Sequence, residues 1–438
     1  MSALPTLVDN TYRFMDRIVV RPNGPLSGTI VLSGAKNSAL KLMAACLLAE
    51  GDHVLRNVPR IADVSIMADL LRAIGLTVAV NDPKNEQGEV RVHTGADISP
   101  DASEELCEPI RASIVVLGPL LTVCGRARVA LPGGDQIGPR PIDLHLKGLE
   151  ALGAEFELEH GVVVGRAPDG LRGAHVMLDF PSVGATENIV MAAVLAEGTT
   201  MLDNAAREPE IQDICRFLNA LGARISGIGT TTLKIEGVAR ESLHGAEHSV
   251  VPDRVEAATY LAAVGVAGGD LHIVDARAEH MEMVLTKLSE MGMWVNAEAN
   301  GVSVKAPERL TAIDVATLPY PGVATDYKPL ITAMLSVADG VGIVTENLFA
   351  GRFRYVEELL RMGANIRTEN HHAVVRGLPE LSGAKVTARD IRGGAALVVA
   401  GLKATGETVI AGAHHIDRGY DDLVGKLASV GALIERVS

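Results

Sequence analysis

Aromatic residues are scarce in this chain: Phe, Tyr and Trp together make up 3% of 438 residues. With a hydrophobic content of 47%, the interior has to be filled by Leu, Val, Ala and Ile, and such a composition describes a folded globular protein. An excess of positive charge is also absent. The formal charge of −14 excludes non-specific nucleic-acid binding, which needs a basic surface, so any anionic ligand must be held by a local cluster of Lys and Arg. Cysteine is confined to Cys46, Cys107, Cys124 and Cys215, with no CxxC pair, and reads as reduced core thiol in a cytoplasmic protein. No apolar run approaches the ~20 residues of a membrane helix, and no charged-then-apolar leader is expected in the opening MSALPTLVDNTYRF, which reads as a loose tail. Metal-ligand spacing is missing too. The pairs His371-His372 and His414-His415 have no Cys or carboxylate set around them, so no metal site is expected.

What the chain has is an internal repeat. An apolar helix ending in Gly and running into a strand recurs as ADLLRAIGLTVAV, LKGLEALGAEFEL, CRFLNALGARISG, LTKLSEMGMWVNA, VEELLRMGANIRT and VGKLASVGALIER. Its glycines are Gly75, Gly153, Gly222, Gly292, Gly363 and Gly431, and Gly there suits the left-handed residue that ends a helix. A second phrase of helix, Gly and alternating strand is interleaved with it, as LLAEGDHVLRN, LTVCGRARVAL, LAEGTTMLDNA, GVAGGDLHIVD, SVADGVGIVTE and LKATGETVIAG. One unit is therefore βαβαββ. The sixth unit reaches Ser438 before its hairpin is complete, and the early strand DRIVVRP is expected to supply the missing piece. This predicts an α/β fold of two similar lobes, each of three repeats with helices inside and sheets outside. A chain longer than roughly 250–300 residues is expected to form two domains in any case. The lobes are expected over 34–249 and over 1–33 with 250–438, with a ligand cleft between them. Trp294, just after a repeat glycine, is expected to serve packing, and the acids of REPEIQD read as a helix start.

Function is sought where units depart from the shared pattern, and the departures collect cations. Lys36 and Asn37 precede the apolar helix in SGAKNSALKLMAACLLAEG, where free N–H groups and a Lys together form an anion site. The GxxxxGK spacing of a P-loop is absent. Arg111, Arg140, Arg352, Arg392 and Arg418 each stand in a loop or at a turn before an apolar helix. Singly, each reads as a surface ion pair; together with Lys36 they point to a strongly anionic small ligand held by bidentate contacts.

The segments SGAKNSALKLMAACLLAEG, RASIVVLGPL, LPGGDQIGPRPIDLHLKGLEALGA, FPSVGATENIVMAAVLAEGTT, NAAREPEIQD, PDRVEAATY and HIDRGYDDL closely resemble the UDP-N-acetylglucosamine 1-carboxyvinyltransferases, members of the enolpyruvyl transferase family. The resemblance runs from about residue 17 to 438. It implies two inverse α/β barrel-like lobes of three repeats and transfer of the enolpyruvyl group of phosphoenolpyruvate to the 3-hydroxyl of UDP-N-acetylglucosamine. Phosphate leaves after addition and elimination through a tetrahedral ketal, in the first committed step of peptidoglycan synthesis. No metal or organic cofactor, nucleic acid, membrane or obligate protein partner is implied. By the same resemblance Lys36, Asn37, Arg140, Arg392 and Arg418 contact phosphoenolpyruvate. Arg111, Arg140, Pro141, Ile142, Asp143, Leu144, Phe180, Pro181, Ser182, Val183, Asp326 and Leu348 frame the nucleotide sugar. Asp326 is the acid near the attacking hydroxyl, with a helix N-cap as its plainer reading. Lys36, Arg418, Asp326 and Asp135 are the expected catalytic residues.

The Gly-rich stretch 131–141 resembles this family's lid, with Asp135 where most members carry Cys. A free thiol titrates near ~8.5 and a free Asp near ~3.9, so Asp135 has to be raised to act as an acid near neutrality. A more acidic optimum and insensitivity to fosfomycin, whose epoxide a thiolate attacks, are expected. Two places depart from the family: VATDYKP has Ala324 and Lys328 where FPTD is followed by Gln, and FAGRF has Ala350 and Gly351 in place of an acid and a variable residue. Lys328 is expected to add positive charge beside the sugar pocket. These departures leave room for a paralogous enolpyruvyl transferase with another acceptor, or for a non-catalytic nucleotide-sugar-binding protein. The related 3-phosphoshikimate 1-carboxyvinyltransferase activity ranks behind, because RPIDLH and FPSVGAT point to a nucleotide sugar.

Overall fold

The computed structural model describes residues 16–80, 88–134, 141–349 and 351–437. Its strands form six four-stranded sheets of one wiring, together with a short two-stranded one. In each large sheet a parallel pair is extended by two antiparallel strands, which form a hairpin in all but one. Glu247–Ser249 runs parallel to Gly51–Arg56, which pairs with Glu89–Thr94 and then Thr77–Val80. The sheet of Asp101–Ala102, Arg126–Ala130, Val162–Arg166 and Glu155–Glu159 repeats this order. In the last sheet Arg17–Arg21 lies between Thr408–Ala411 and Leu433–Val437, antiparallel to both. The early strand thus stands where the other sheets have the second strand of a hairpin.

The repeat glycines explain why helix gives way to strand at equivalent places. Gly75, Gly153, Gly222, Gly292, Gly363 and Gly431 all have φ between +83° and +110° or, at Gly75, +117°. A side chain at these turns would meet the steric penalty of the left-handed region.

Helices preceding the second phrase are largely buried. Arg254–Ala267, Lys328–Val337 and Ile391–Gly401 pack on one another, and Leu117–Cys124 packs on Val183–Ala193. Their small residues permit close approach: a Cβ added to Gly118 would lie 2.4 Å from the Asn188 carbonyl oxygen. Sheets cover these helices, and the buried apolar side chains fall into two clusters. One spans Ala39 to Val250; the other joins Ile18–Leu32 to residues from Val255 to Ile434.

The chain passes between the clusters twice, and the two passages pair with each other. Gly34 and Pro252 form an antiparallel bridge, with Ala35 N–H donating to Val251 O at 2.7 Å and Asp253 N–H to Ser33 O at 2.9 Å. Acids lock the passages. Asp253 accepts from Val255 and Glu256 N–H at the start of its own helix and from Lys36 N–H at 3.2 Å. Glu256 accepts from the Ser33 hydroxyl at 2.6 Å. The start of the Lys36 helix is therefore placed by both passages. Trp294 is 57% exposed, which corrects the packing role expected of it: it stands on an edge strand facing outward. No helix among the described residues is long and apolar enough to cross a membrane.

Candidate active site

A cavity of about 470 Å³ opens between the two clusters. Its lining brings together Lys36, Asn37, Arg111, Pro141, Asp143, Leu144, Phe180, Pro181, Ser182, Val183, Asp326, Leu348 and Arg418, residues far apart in sequence. Among the other sequence-derived candidates, Ile142 turns into the apolar cluster at the start of helix Asp143–Ala151. Arg352 and Arg392 stand behind the wall, on Asp326. Asp135, Arg140 and Ala350 lie outside the described residues.

At one end Lys36 occupies the first turn of helix Lys36–Ala45, and its Nζ lies 2.7 Å from Asp63 Oδ2. Asp63, in the first turn of helix Ala62–Ile74, is buried, and its other oxygen lies 2.8 Å from Arg418 Nε. Arg418 reaches over from the opposite cluster, and its Nη2 also donates to Pro109 O at 3.2 Å. One buried carboxylate thus converges two cations contributed by the two halves of the chain. Sequence reasoning found both cations and missed the acid; its sequence position, a helix first turn, was already explained by the helix dipole.

At the other end Asp326 is held by two guanidinium groups. Arg352 Nη1 lies 2.8 Å from Oδ1 and Arg392 Nε 3.6 Å from Oδ2. Arg392 is buried, lies with its guanidinium carbon 4.9 Å from the Tyr420 ring centroid, and its Nη1 has no hydrogen-bond partner among the described residues. The N-cap reading of Asp326 is not what the fold uses: helix Lys328–Val337 starts at Tyr327 with no side-chain cap, and the carboxylate meets the guanidinium pair while lining the cavity. Lys328 does not add charge to the cavity as expected. It is fully buried, and its Nζ lies 2.8 Å from Glu346 Oε2.

The middle of the cavity has an apolar floor and an acidic wall. Phe180 is exposed, and Ser182 caps helix Val183–Ala193 by accepting from Ala185 N–H at 3.4 Å. Arg111 Nη2 donates to Pro141 O at 3.2 Å, tying the 141–145 segment to the opposite rim. Glu187, Glu208 and Glu210 line the wall. Glu210 pairs with the buried Arg254 at 3.0 Å. Burial raises the Glu208 carboxyl above its ordinary range and pushes Glu187 up to about 7 against the attraction of Lys41, 3.4 Å away. Glu208 and Glu210 of REPEIQD do stand at the start of helix Pro209–Ala220, yet they also face the cavity, a second use that sequence reasoning missed. Among the described residues, no group of three or more His, Cys, Asp or Glu is arranged to hold a metal ion.

The chain resembles solved enolpyruvyl transferases along almost its whole length. The enolpyruvyl transferase NikO from Streptomyces tendae superposes with a TM-score of 0.86 at 24% identity, covering 96% of this chain and 99% of that one. An EPSP synthase from Acinetobacter baumannii superposes at 0.73 and 19% identity over 97% and 100%. The fold is therefore that of this class. Residues 20–427 match the family model of EPSP synthase (3-phosphoshikimate 1-carboxyvinyltransferase). The UDP-N-acetylglucosamine 1-carboxyvinyltransferases of Nocardia farcinica and Mycobacterium tuberculosis are 50% and 51% identical over 423 residues, covering 96% of this chain and 99% of each relative. The chain belongs to the enolpyruvyl transferase family, and these half-identical relatives are its UDP-N-acetylglucosamine 1-carboxyvinyltransferases.

Proposed function

We propose that this chain transfers the enolpyruvyl group of phosphoenolpyruvate to the 3-hydroxyl of UDP-N-acetylglucosamine, releasing phosphate, as a cytoplasmic enzyme of peptidoglycan synthesis. The observation that carries the reading is the convergence of Lys36, Arg418 and Asp326 on one cavity with the 141–145 and 180–184 segments. Lys36 and Arg418 are placed to hold a phosphate, and charge-assisted contacts of about 1.5–3 kcal/mol each offset the chain's unfavourable net charge. Arg392, behind the wall on Asp326, is read as the cation nearest the carboxylate of phosphoenolpyruvate. The 141–145 and 180–184 segments are read as the nucleotide-sugar side. Four free thiols and a charge of −14 agree with a cytoplasmic enzyme. We read 34–249 as one lobe and 1–33 with 250–438 as the other, in keeping with the two apolar clusters.

In this reading Asp326 orients the 3-hydroxyl and takes its proton as the oxygen bonds to C2 of phosphoenolpyruvate; C3 gains a proton and a tetrahedral ketal forms. Asp135 supplies that proton. Loss of a proton from C3 then re-forms the double bond as the C2–O bond to phosphate breaks, with Lys36 and Arg418 receiving the charge. The test is phosphate release from pH 5 to 9 with phosphoenolpyruvate and either UDP-N-acetylglucosamine or 3-phosphoshikimate. Release with the first acceptor alone is expected. Release with the second alone, or tight binding without turnover, refutes the assignment.

A further inference from the structure

Lys328 stands where the family pattern has Gln, and its surroundings are fully built. Its side chain has no exposure. Nζ donates to Glu346 Oε2 and to the Arg352 carbonyl, and lies 3.9 Å from the Phe353 ring centroid. Glu346 spends its remaining acceptor capacity on the loop that follows it. Oε1 accepts from Leu348 N–H at 2.8 Å, Phe349 N–H at 3.1 Å and the Thr317 hydroxyl at 2.8 Å. Oε2 also accepts from the Thr325 hydroxyl at 2.7 Å, and that same Thr325 oxygen accepts from Arg352 Nη1 at 2.9 Å. Arg352 Nη1 is in turn the group on Asp326. One ammonium therefore fastens Glu346 through its side chain and Arg352 through its carbonyl.

We propose that Lys328 is a positioning residue for the acceptor end of the site, its ammonium fixing Glu346 and Arg352 and through them Leu348 and Asp326. The inference deepens the transferase reading and rests on it for the identity of the acceptor. A neutral amine would leave the buried Glu346 carboxylate with neutral donors only, and a Gln amide at this place lacks the charge that matches it.

The charged and titratable groups around Lys328 come from several elements. Glu346 and Arg352 flank it from the loop, Asp390 and Arg392 from the start of helix Ile391–Gly401, Tyr355 from helix Arg354–Arg361, with Asp326 and Tyr327 just before it in the chain. Burial pulls the Lys328 amine down to about 8 against the attraction of Glu346, whereas burial raises Tyr355 and pushes Tyr327 up to about 12. The Lys328 amine is therefore expected to lose its charge between pH 7 and 9.5.

The experiment compares wild type with Lys328→Gln and Lys328→Met, reading KM and kcat for each substrate from pH 7 to 9.5. It also follows the Leu348 and Phe349 amide signals by NMR in protein labelled at Leu and Phe. In wild type the KM for UDP-N-acetylglucosamine is expected to rise about tenfold across this range while that for phosphoenolpyruvate holds, and both amides shift with a midpoint near that of the amine. Either variant is expected to show the raised acceptor KM at every pH and no amide titration. An acceptor KM within twofold of wild type at pH 7 in both variants, or wild-type amides that stay still from pH 7 to 9.5, overturns the proposal. The wild-type amide arm needs neither turnover nor a folded variant, so an inactive chain whose amides titrate refutes the acceptor assignment and leaves the loop-positioning role standing.

Discussion

Replacing Glu187 by Gln is expected to stabilise the protein at alkaline pH and to do almost nothing at acidic pH. Glu187 is 1% exposed, neither carboxylate oxygen has a hydrogen-bond partner among the described residues, and Lys41 Nζ stands 3.4 Å away. Two effects oppose each other: burial favours the neutral acid, and Lys41 favours the carboxylate. Burial wins, since the group is pushed from its ordinary 4.5 up to about 7 with the attraction of Lys41 already included. The native state then binds the proton more tightly than the unfolded chain. The stability this contributes is fully present below pH 4.5 and is lost as pH rises through 7. Between pH 5 and pH 8 the loss amounts to roughly 2.5 kcal/mol, and the neutral amide of Gln does not suffer it. Urea unfolding of both proteins at the two pH values, followed by far-UV circular dichroism, measures the difference between variant and wild type. That difference should grow in favour of the variant by about 1–4 kcal/mol from pH 5 to pH 8. A difference that is flat with pH, or one that falls, would show that Glu187 is ionised at no cost and that Lys41 dominates the site.

Asp63→Ala removes the anion shared by Lys36 and Arg418; breaking a buried pair from one side costs about 3–5 kcal/mol, so the unfolding midpoint should fall by several degrees. A midpoint equal to that of wild type would mean the bridge contributes nothing. Asp326→Asn is expected to lower kcat about 10²–10⁴-fold with little change in the KM for phosphoenolpyruvate, as loss of a general base does; a kcat within threefold of wild type would remove Asp326 from that role. Wild type should keep its activity during prolonged exposure to fosfomycin, and Asp135→Cys should lose it irreversibly, because only the variant offers a thiolate to the epoxide. Time-dependent inactivation of wild type would contradict the carboxylate's assigned place at the tip of the lid.

The repeat was legible in the sequence because its punctuation is conformational. A left-handed φ strongly favours Gly, so Gly75, Gly153, Gly222, Gly292, Gly363 and Gly431 announced the same helix-to-strand turn regardless of what surrounded them. Lys36, Arg111 and Arg418 were legible for a different reason: each broke an apolar pattern at a place where a cation has no structural duty. The acids of the site broke no pattern. Asp63 and Glu210 both sit in first turns, where an acid is already accounted for by the helix dipole, and only the packing of separate elements turns them inward. Lys328 misled in the opposite direction. Its charge was visible beside Asp326, but its partner lies eighteen residues further on, at Glu346, and the pairing that cancels the charge is made by the fold.

That asymmetry follows from how a chain of net charge −14 can keep cations beside a cavity at all. A guanidinium or ammonium withdrawn from water needs an anion close by, or burial costs more than the ligand returns. Most inward cations among the described residues have one: Asp63 for Lys36 and Arg418, Asp326 for Arg352 and Arg392, Glu210 for Arg254, Glu346 for Lys328 and Glu187 for Lys41, whereas Arg111 donates to the Pro141 carbonyl. The pairs differ in where the residual charge points. Lys36, Arg418 and Asp326 keep part of their surface on the cavity, whereas Lys328 and Glu346 spend theirs on each other and on the loop. Cations of the first kind can meet a ligand, and those of the second kind can only hold in place the groups that do.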